Sequence, residues 1–221
     1  GIFTNFKNNA IITKRKKEPI IMNYVYNKSL ANCTPSKIRE FNSLAAKLNA
    51  KYKLTLGEPD FDTPIEIKDA LIEAVNQNHT RYAPTVGNKN LREEICKFEK
   101  RVNKVSYEPD EVLVTTGSTE ALTAALFTLL NQDDEVIIPI PCYALYEPVI
   151  SYCGAKMIPL DTRPEFQISK EHLEALINNK TKAILLTSPN NPTGTIYDDK
   201  TLENIYNICL LYTSPSPRDT R

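Results

Sequence analysis

The stretch Ala183-Ile184-Leu185-Leu186-Thr187-Ser188-Pro189-Asn190-Asn191-Pro192-Thr193-Gly194 decides how this chain reads. Ala183–Leu186 is an unbroken apolar run of strand length, the pattern of a strand buried on both faces. The Pro, Asn and Gly residues behind it cannot prolong a strand and mark a loop. Asp198 then caps a helix through Leu202 and Ile205. Upstream the same rhythm repeats. Val112–Thr115 reads as a strand, Ser118–Leu130 as a helix, Glu135–Ile138 as a strand and Tyr143–Tyr152 as a helix. Lys156–Ile158 is the next strand, and Ser169 caps a helix through Leu173, Leu176 and Ile177. Such alternation implies right-handed crossovers, hence an α/β fold with a mostly parallel sheet and helices on both faces.

Further upstream the signals are helical. Leu91, Ile95, Phe98 and Val102 recur at helical spacing after Gly87. Thr63-Pro64-Ile65-Glu66 reads as a capping box with proline in the first helical position, ahead of Ile67, Leu71, Ala74 and Val75. The short run Leu54-Thr55-Leu56 stops at Gly57. Thr34-Pro35 opens a helix with Ile38, Phe41, Leu44, Ala45 and Leu48 on one face. Residues 1–21, with the run Lys14-Arg15-Lys16-Lys17, read as a disordered or non-native extension before Met22.

Composition removes several classes of function. The 221 residues carry 27 Lys+Arg against 27 Asp+Glu, without the basic excess that coating nucleic acid or a membrane surface needs. Neither nucleic acid nor membrane is expected as a partner. No apolar run approaches the roughly 18 residues of a membrane span, and no secretory signal opens the chain. Five cysteines with no C-x-x-C spacing read as buried thiols of a reducing compartment, so the expected location is cytoplasmic. His79 and His172 stand apart and without a ligand pattern, which argues against a metal site.

Five segments hold candidate chemistry. Thr116-Gly117-Ser118-Thr119-Glu120 lies where a strand gives way to a helix, so unpaired N–H groups and two hydroxyls could cradle a phosphate. Taken alone, Ser118 and Thr119 read first as a plain helix cap. Ser188–Gly194 follows a strand, where open α/β sheets bind ligands, although any one dipeptide of it would mark only a turn. In Gly57-Glu58-Pro59-Asp60-Phe61-Asp62, Gly57 lets backbone approach a ligand closely; the plain alternative is a loop before a helix. Tyr82-Ala83-Pro84-Thr85-Val86-Gly87 is an exposed loop carrying a tyrosine. Pro139-Ile140-Pro141-Cys142-Tyr143-Ala144-Leu145-Tyr146 offers rings that could stack on a flat ligand or pack the helix that follows.

In this order and at these separations, the five segments resemble the N-terminal half of class I/II aminotransferases, fold-type-I enzymes dependent on pyridoxal 5'-phosphate. The resemblance runs from about Met22 to about Cys209, and Asn191-Pro192-Thr193-Gly194 is its most specific part. Met22-Asn23-Tyr24 through Ile38-Arg39-Glu40-Phe41 also resembles a bacterial branch with N-acetyl-diaminopimelate, aromatic and aspartate aminotransferases. The resemblance implies that Gly117, Ser118 and Thr119 hold the cofactor phosphate. It implies that Tyr143 stacks on the pyridine ring and that Asn191 bonds the 3-hydroxyl oxygen. Gly57 would meet the substrate carboxylate, and Tyr82 would reach the phosphate of a neighbouring subunit in a homodimer. Amino acids and 2-oxo acids would be the substrates.

The resemblance also divides the chain: an extension at 1–21, an arm and small-domain portion at 22–56, a partial cofactor-binding domain at 57–209, and a tail foreign to the family at 210–221. Leu210-Leu211-Tyr212 could start a strand, but the proline-rich residues behind it resemble translated adapter sequence. The family's Schiff-base lysine, the Asp at the pyridinium nitrogen and the carboxylate-clamping Arg have no counterpart here. Ser169-Lys170 precedes the Asn-Pro-Thr-Gly loop and opens a helix, so it is no substitute. The expectation is an N-terminal fragment that does not itself transaminate. Alternatives are a carbon–sulfur lyase or decarboxylase of the same fold, and a non-catalytic cofactor-binding regulatory domain.

Overall fold

A computed structural model of the chain describes residues 3–5, 10–13, 20–23, 37–48, 52, 57 and 59–212. The readings at Thr34-Pro35, at Leu54–Leu56 and in the proline-rich residues 213–221 lie outside them. The chain forms two compact units, residues 1–34 with 129–221, and residues 35–128.

In the first unit, β1 (Phe3–Asn5), β2 (Ala10–Thr13) and β3 (Ile20–Asn23) pair as an antiparallel sheet in the order β1-β2-β3. They lie where an extension was expected, and the β-branched Ile11, Ile12, Thr13, Ile20 and Ile21 suit a strand. The second sheet positions the candidate site. It consists of β4 (Glu135–Ile140), β5 (Lys156–Asp161) and β6 (Thr181–Ile184) in the order β5-β4-β6, parallel throughout. Ile137 pairs with Ile158 on one side and Ile184 on the other. Val136, Ile137 and Ile138 are all essentially inaccessible. Successive side chains point to opposite faces, so three in a row can be buried only if both faces of β4 are covered.

The crossovers are α5 (Tyr146–Tyr152) between β4 and β5, and α6 (Lys170–Leu176) between β5 and β6. Ser169 caps α6 by accepting the His172 N–H at 3.3 Å. Asp198 accepts the Thr201 N–H at 2.7 Å and starts α7 (Asp199–Tyr212). Leu173, Ile205, Ile208 and Tyr197 close over Ile137 and Leu160 as one apolar cluster. Leu210-Leu211-Tyr212 does not start a strand; it completes α7. The helical register set by Ile205 and Ile208 carries on through these residues, and nothing before Tyr212 breaks it.

The second unit is helical, with α1 (Lys37–Lys47), α2 (Ile65–Asn76), α3 (Lys89–Val102) and α4 (Ser118–Leu129). Two sequence expectations fail here. Thr63 makes no capping box: Pro64 itself holds the cap position, and its carbonyl accepts from Ile67 and Lys68. With the helix starting at Ile65, Thr63 stands one residue too early to reach the first turn. A capping box forms instead around a short 3-10 turn, Pro109–Glu111, between Glu108 and Glu111. Nor do residues 112–115 form a strand. Among the described residues, their one backbone bond to a distant segment runs from the Val114 N–H to the Val86 carbonyl at 3.1 Å, and one bond is no ladder. The apolar positions of α2 keep their helical spacing, yet Ile67, Leu71 and Val75 are exposed.

Candidate functional site

Because β4 and β6 are parallel neighbours, their carboxyl ends lie at the same edge of the sheet. The loop after β4 carries Tyr143, and the loop after β6 carries Asn191. The sheet therefore brings these two expected site residues to one end. Both are exposed, and the Ile140–Pro141, Ser188–Pro189 and Asn191–Pro192 peptides are cis.

Asn190 holds the second loop in shape. Its N–H donates to the Thr195 carbonyl and its carbonyl accepts from the Gly194 N–H, each at 2.8 Å. Its amide nitrogen donates to the Pro141 carbonyl at 3.3 Å, which ties this loop to the one bearing Tyr143. Its amide oxygen is buried without a hydrogen-bond partner. Tyr197, buried beside it, has its phenol pushed above the ordinary tyrosine range by burial; the Asn190 side chain pulls the other way and Tyr146 adds to the rise. Burial likewise raises the Cys142 thiol, with a smaller contribution from Glu147. Neighbouring Thr162 closes the third strand end, its hydroxyl donating to the Ile140 carbonyl at 2.9 Å.

A second tie was not read from the sequence. Tyr146, 7% exposed, places its ring edge-on to Tyr143, with centroids 5.6 Å apart and planes at 84°. Its hydroxyl meets the Thr187 hydroxyl at 2.8 Å. The signal lay in Tyr143-Ala144-Leu145-Tyr146 itself, where a second aromatic follows three residues after the first.

The other expected residues belong to the helical unit. Gly117 has a φ of +81°, the left-handed region that favours glycine, and a side chain placed there would meet open space. Ser118 and Thr119, both exposed, begin α4, whose first N–H groups have no acceptor within the helix. The Glu120 carboxylate accepts from the Thr116 N–H just ahead of them. Two contacts locate this turn. Val114 approaches Gly87 so closely that a methyl group on the glycine would fall 2.5 Å from the Val114 Cβ. Arg92, buried on α3, donates to the Pro109 carbonyl at 2.5 Å and pairs with Asp110 at 3.3 Å. Tyr82 is fully exposed, and Gly57 is exposed with open space beside it. Lys170 pairs with Glu174 at 3.7 Å on the surface of α6.

Residues 49–213 match the sequence model of aminotransferase class I and II. The chain belongs to that family. Among its relatives, the putative aminotransferase YugH of Bacillus subtilis (strain 168) is 38% identical over 77% of this chain and 45% of its own length. An aspartate aminotransferase of Geobacillus stearothermophilus is 38% identical over 84% of this chain and 49% of its own length. The solved structure of an alanine aminotransferase from Pyrococcus furiosus superposes with a TM-score of 0.78 at 36% identity, covering 86% of this chain and 51% of that one. The chain thus spans about half the length of the relatives it matches.

The family is associated with pyridoxal 5'-phosphate, and the residues present fit that group. An open glycine turn with two free hydroxyls at a helix start suits a phosphate ester. An exposed tyrosine ring and an exposed amide at one sheet end suit a flat heteroaromatic ring with a polar substituent. Among the described residues, no three His, Cys, Asp or Glu side chains group as a metal site, and no helix is long and apolar enough to cross a membrane.

Proposed function

We propose that the whole protein is a cytoplasmic pyridoxal-phosphate-dependent aminotransferase that moves an amino group between an amino acid and a 2-oxo acid. When bound, the cofactor supplies an aldehyde to hold the amino group and a ring to accept electrons as the α-proton leaves. The observation that carries the reading is the meeting of the Tyr143 and Asn191 loops at one end of β4 and β6, in a chain of this family.

In this reading the chain's own residues bind and orient. Gly117 keeps the turn open, and the Ser118 and Thr119 hydroxyls with the first N–H groups of α4 take the phosphate oxygens. The Tyr143 ring covers one face of the pyridine. The Asn191 amide donates to the 3-hydroxyl oxygen and favours its ionised form. Gly57 leaves its backbone accessible to a substrate carboxylate, and Tyr82, fully exposed, extends to the phosphate site of a second subunit in a homodimer. The assignment of 22–56 to an arm and small domain and of 57–209 to the cofactor-binding domain goes with this proposal. The lysine that carries the cofactor falls outside residues 1–221.

The test is an assay of the whole protein with pyridoxal phosphate, reading keto-acid-dependent amino transfer beside sulfide release and decarboxylation. Amino transfer dependent on an added 2-oxo acid supports the reading. Sulfide or carbon dioxide release without amino transfer replaces it with a lyase or decarboxylase, and cofactor binding without turnover replaces it with a regulatory domain.

A further inference from the structure

Tyr146 is placed to do more than fill the core. A buried tyrosine whose ring were the only useful part could be a phenylalanine; here the hydroxyl is spent on Thr187, 41 residues away in the loop that leads to Asn190 and Asn191. The same ring stands edge-on to Tyr143, the arrangement in which the positive rim of one ring meets the negative face of the other. One side chain therefore touches the exposed ring on the β4 side and the loop on the β6 side. We propose that Tyr146 is a positioning residue: its bond to Thr187 fixes the Tyr146 ring, and that ring in turn holds the Tyr143 ring at the angle needed to stack on a flat ligand. The inference rests on the reading of Tyr143 as the stacking residue.

The chain contains no tryptophan, so Tyr143→Trp creates a single tryptophan at the position in question, excited selectively at wavelengths that tyrosine does not absorb. That variant is prepared alone and with Tyr146→Phe, Thr187→Val or both, each checked for fold by far-ultraviolet circular dichroism. The fluorescence anisotropy of Trp emission without ligand reports how firmly the ring is held, and quenching on titration with pyridoxal phosphate reports stacking. Tyr146→Phe and Thr187→Val should each lower the anisotropy and weaken the quenching titration by about three- to tenfold, the reach of one hydrogen bond. The double change should be no worse than either single one. Anisotropy unmoved by Tyr146→Phe, or two single effects that simply add, overturns the proposal. If pyridoxal phosphate quenches none of the variants, the stacking reading of Tyr143 fails, while the anisotropies still decide whether Tyr146 positions the ring. Should Tyr146→Phe not fold, the Thr187→Val arm decides: its unchanged anisotropy overturns the proposal.

Discussion

The Asn190 side chain donates to the Pro141 carbonyl across the gap between two loops, while its own amide oxygen stays buried and unpaired. The bond gained and the oxygen stranded oppose one another in stability, since a buried unsatisfied acceptor costs about 1–3 kcal/mol and a hydrogen bond returns about 0.5–1.5 kcal/mol. Asn190→Ala removes both. The expected outcome is a urea unfolding midpoint shifted by less than the equivalent of about 1 kcal/mol, together with weaker pyridoxal phosphate binding as the Tyr143 and Asn191 loops part. A large loss of stability with unchanged binding would assign Asn190 to the core alone.

Gly87 carries a φ of +95° and lies against Val114. Gly87→Ala adds left-handed strain of about 1–2 kcal/mol to an overpacking cost of about 1–3 kcal/mol. Val114 leads into the turn at 115–117, so the push is felt there. Equilibrium unfolding should show a loss of about 2–5 kcal/mol, and a second change, Val114→Ala in the Gly87→Ala background, should recover part of it.

Ile137 sits in the middle strand, wholly inaccessible, within the cluster that includes Leu173 and Ile208. Ile137→Ala should cost about 2–5 kcal/mol in chemical denaturation. Leu71→Ala on α2, whose side chain is 66% exposed, should stay within about 0.5 kcal/mol. Equal losses at both positions would contradict the burial described for this chain.

Burial raises the Tyr197 phenol and the Cys142, Cys153 and Cys209 thiols above their ordinary values. Groups whose neutral form is favoured by folding contribute fully at pH below their unfolded values, about 8.5 for thiols and 10 for tyrosine. The contribution is lost as pH climbs through the higher folded values. Thermal midpoints should therefore hold up to about pH 8 and fall above it. Tyr197→Phe should flatten the part of the fall above about pH 10 and leave the thiol part in place.

The parallel sheet was legible because apolar runs closed by proline and asparagine mark strands without reference to a partner, although the run at Ala183–Leu186 misplaced β6, which spans Thr181–Ile184 at the sheet edge and is only half-buried. The caps at Ser169 and Asp198 were legible for the same local reason. Residues 112–115 misled because Val, Leu and Thr have strand propensity wherever they occur, whereas a strand also needs a neighbour, which sequence spacing does not supply. Thr63 misled because a capping box depends on which residue starts the helix, and that shifted by one. The ties at Asn190–Pro141 and Tyr146–Thr187 join residues 49 and 41 positions apart, beyond the reach of any periodicity. The positions of Ser118, Thr119, Tyr143 and Asn191 at loop ends and a helix start follow the local pattern closely.

Borohydride reduction in the presence of pyridoxal phosphate probes the chain's lysines. Lys170 is exposed and paired with Glu174, an ordinary surface lysine. Reduction of the 221-residue chain with pyridoxal phosphate should give scattered, substoichiometric labelling by mass spectrometry of its peptides. One stoichiometric lysyl adduct would contradict the placement of the family's Schiff-base lysine outside these residues.

The proposed function gives the phosphate of pyridoxal phosphate to the turn at Gly117–Thr119 and its ring hydroxyl to the amide of Asn191. Paired equilibrium titrations with pyridoxal phosphate and with pyridoxal, which lacks the phosphate, separate the two contributions. The chain should prefer the phosphorylated ligand. Ser118→Ala with Thr119→Ala should erase about tenfold or more of that preference, and Asn191→Ala should weaken both ligands alike. Equal binding of the two ligands by the unaltered chain, or a preference untouched by the change at 118 and 119, would contradict the account.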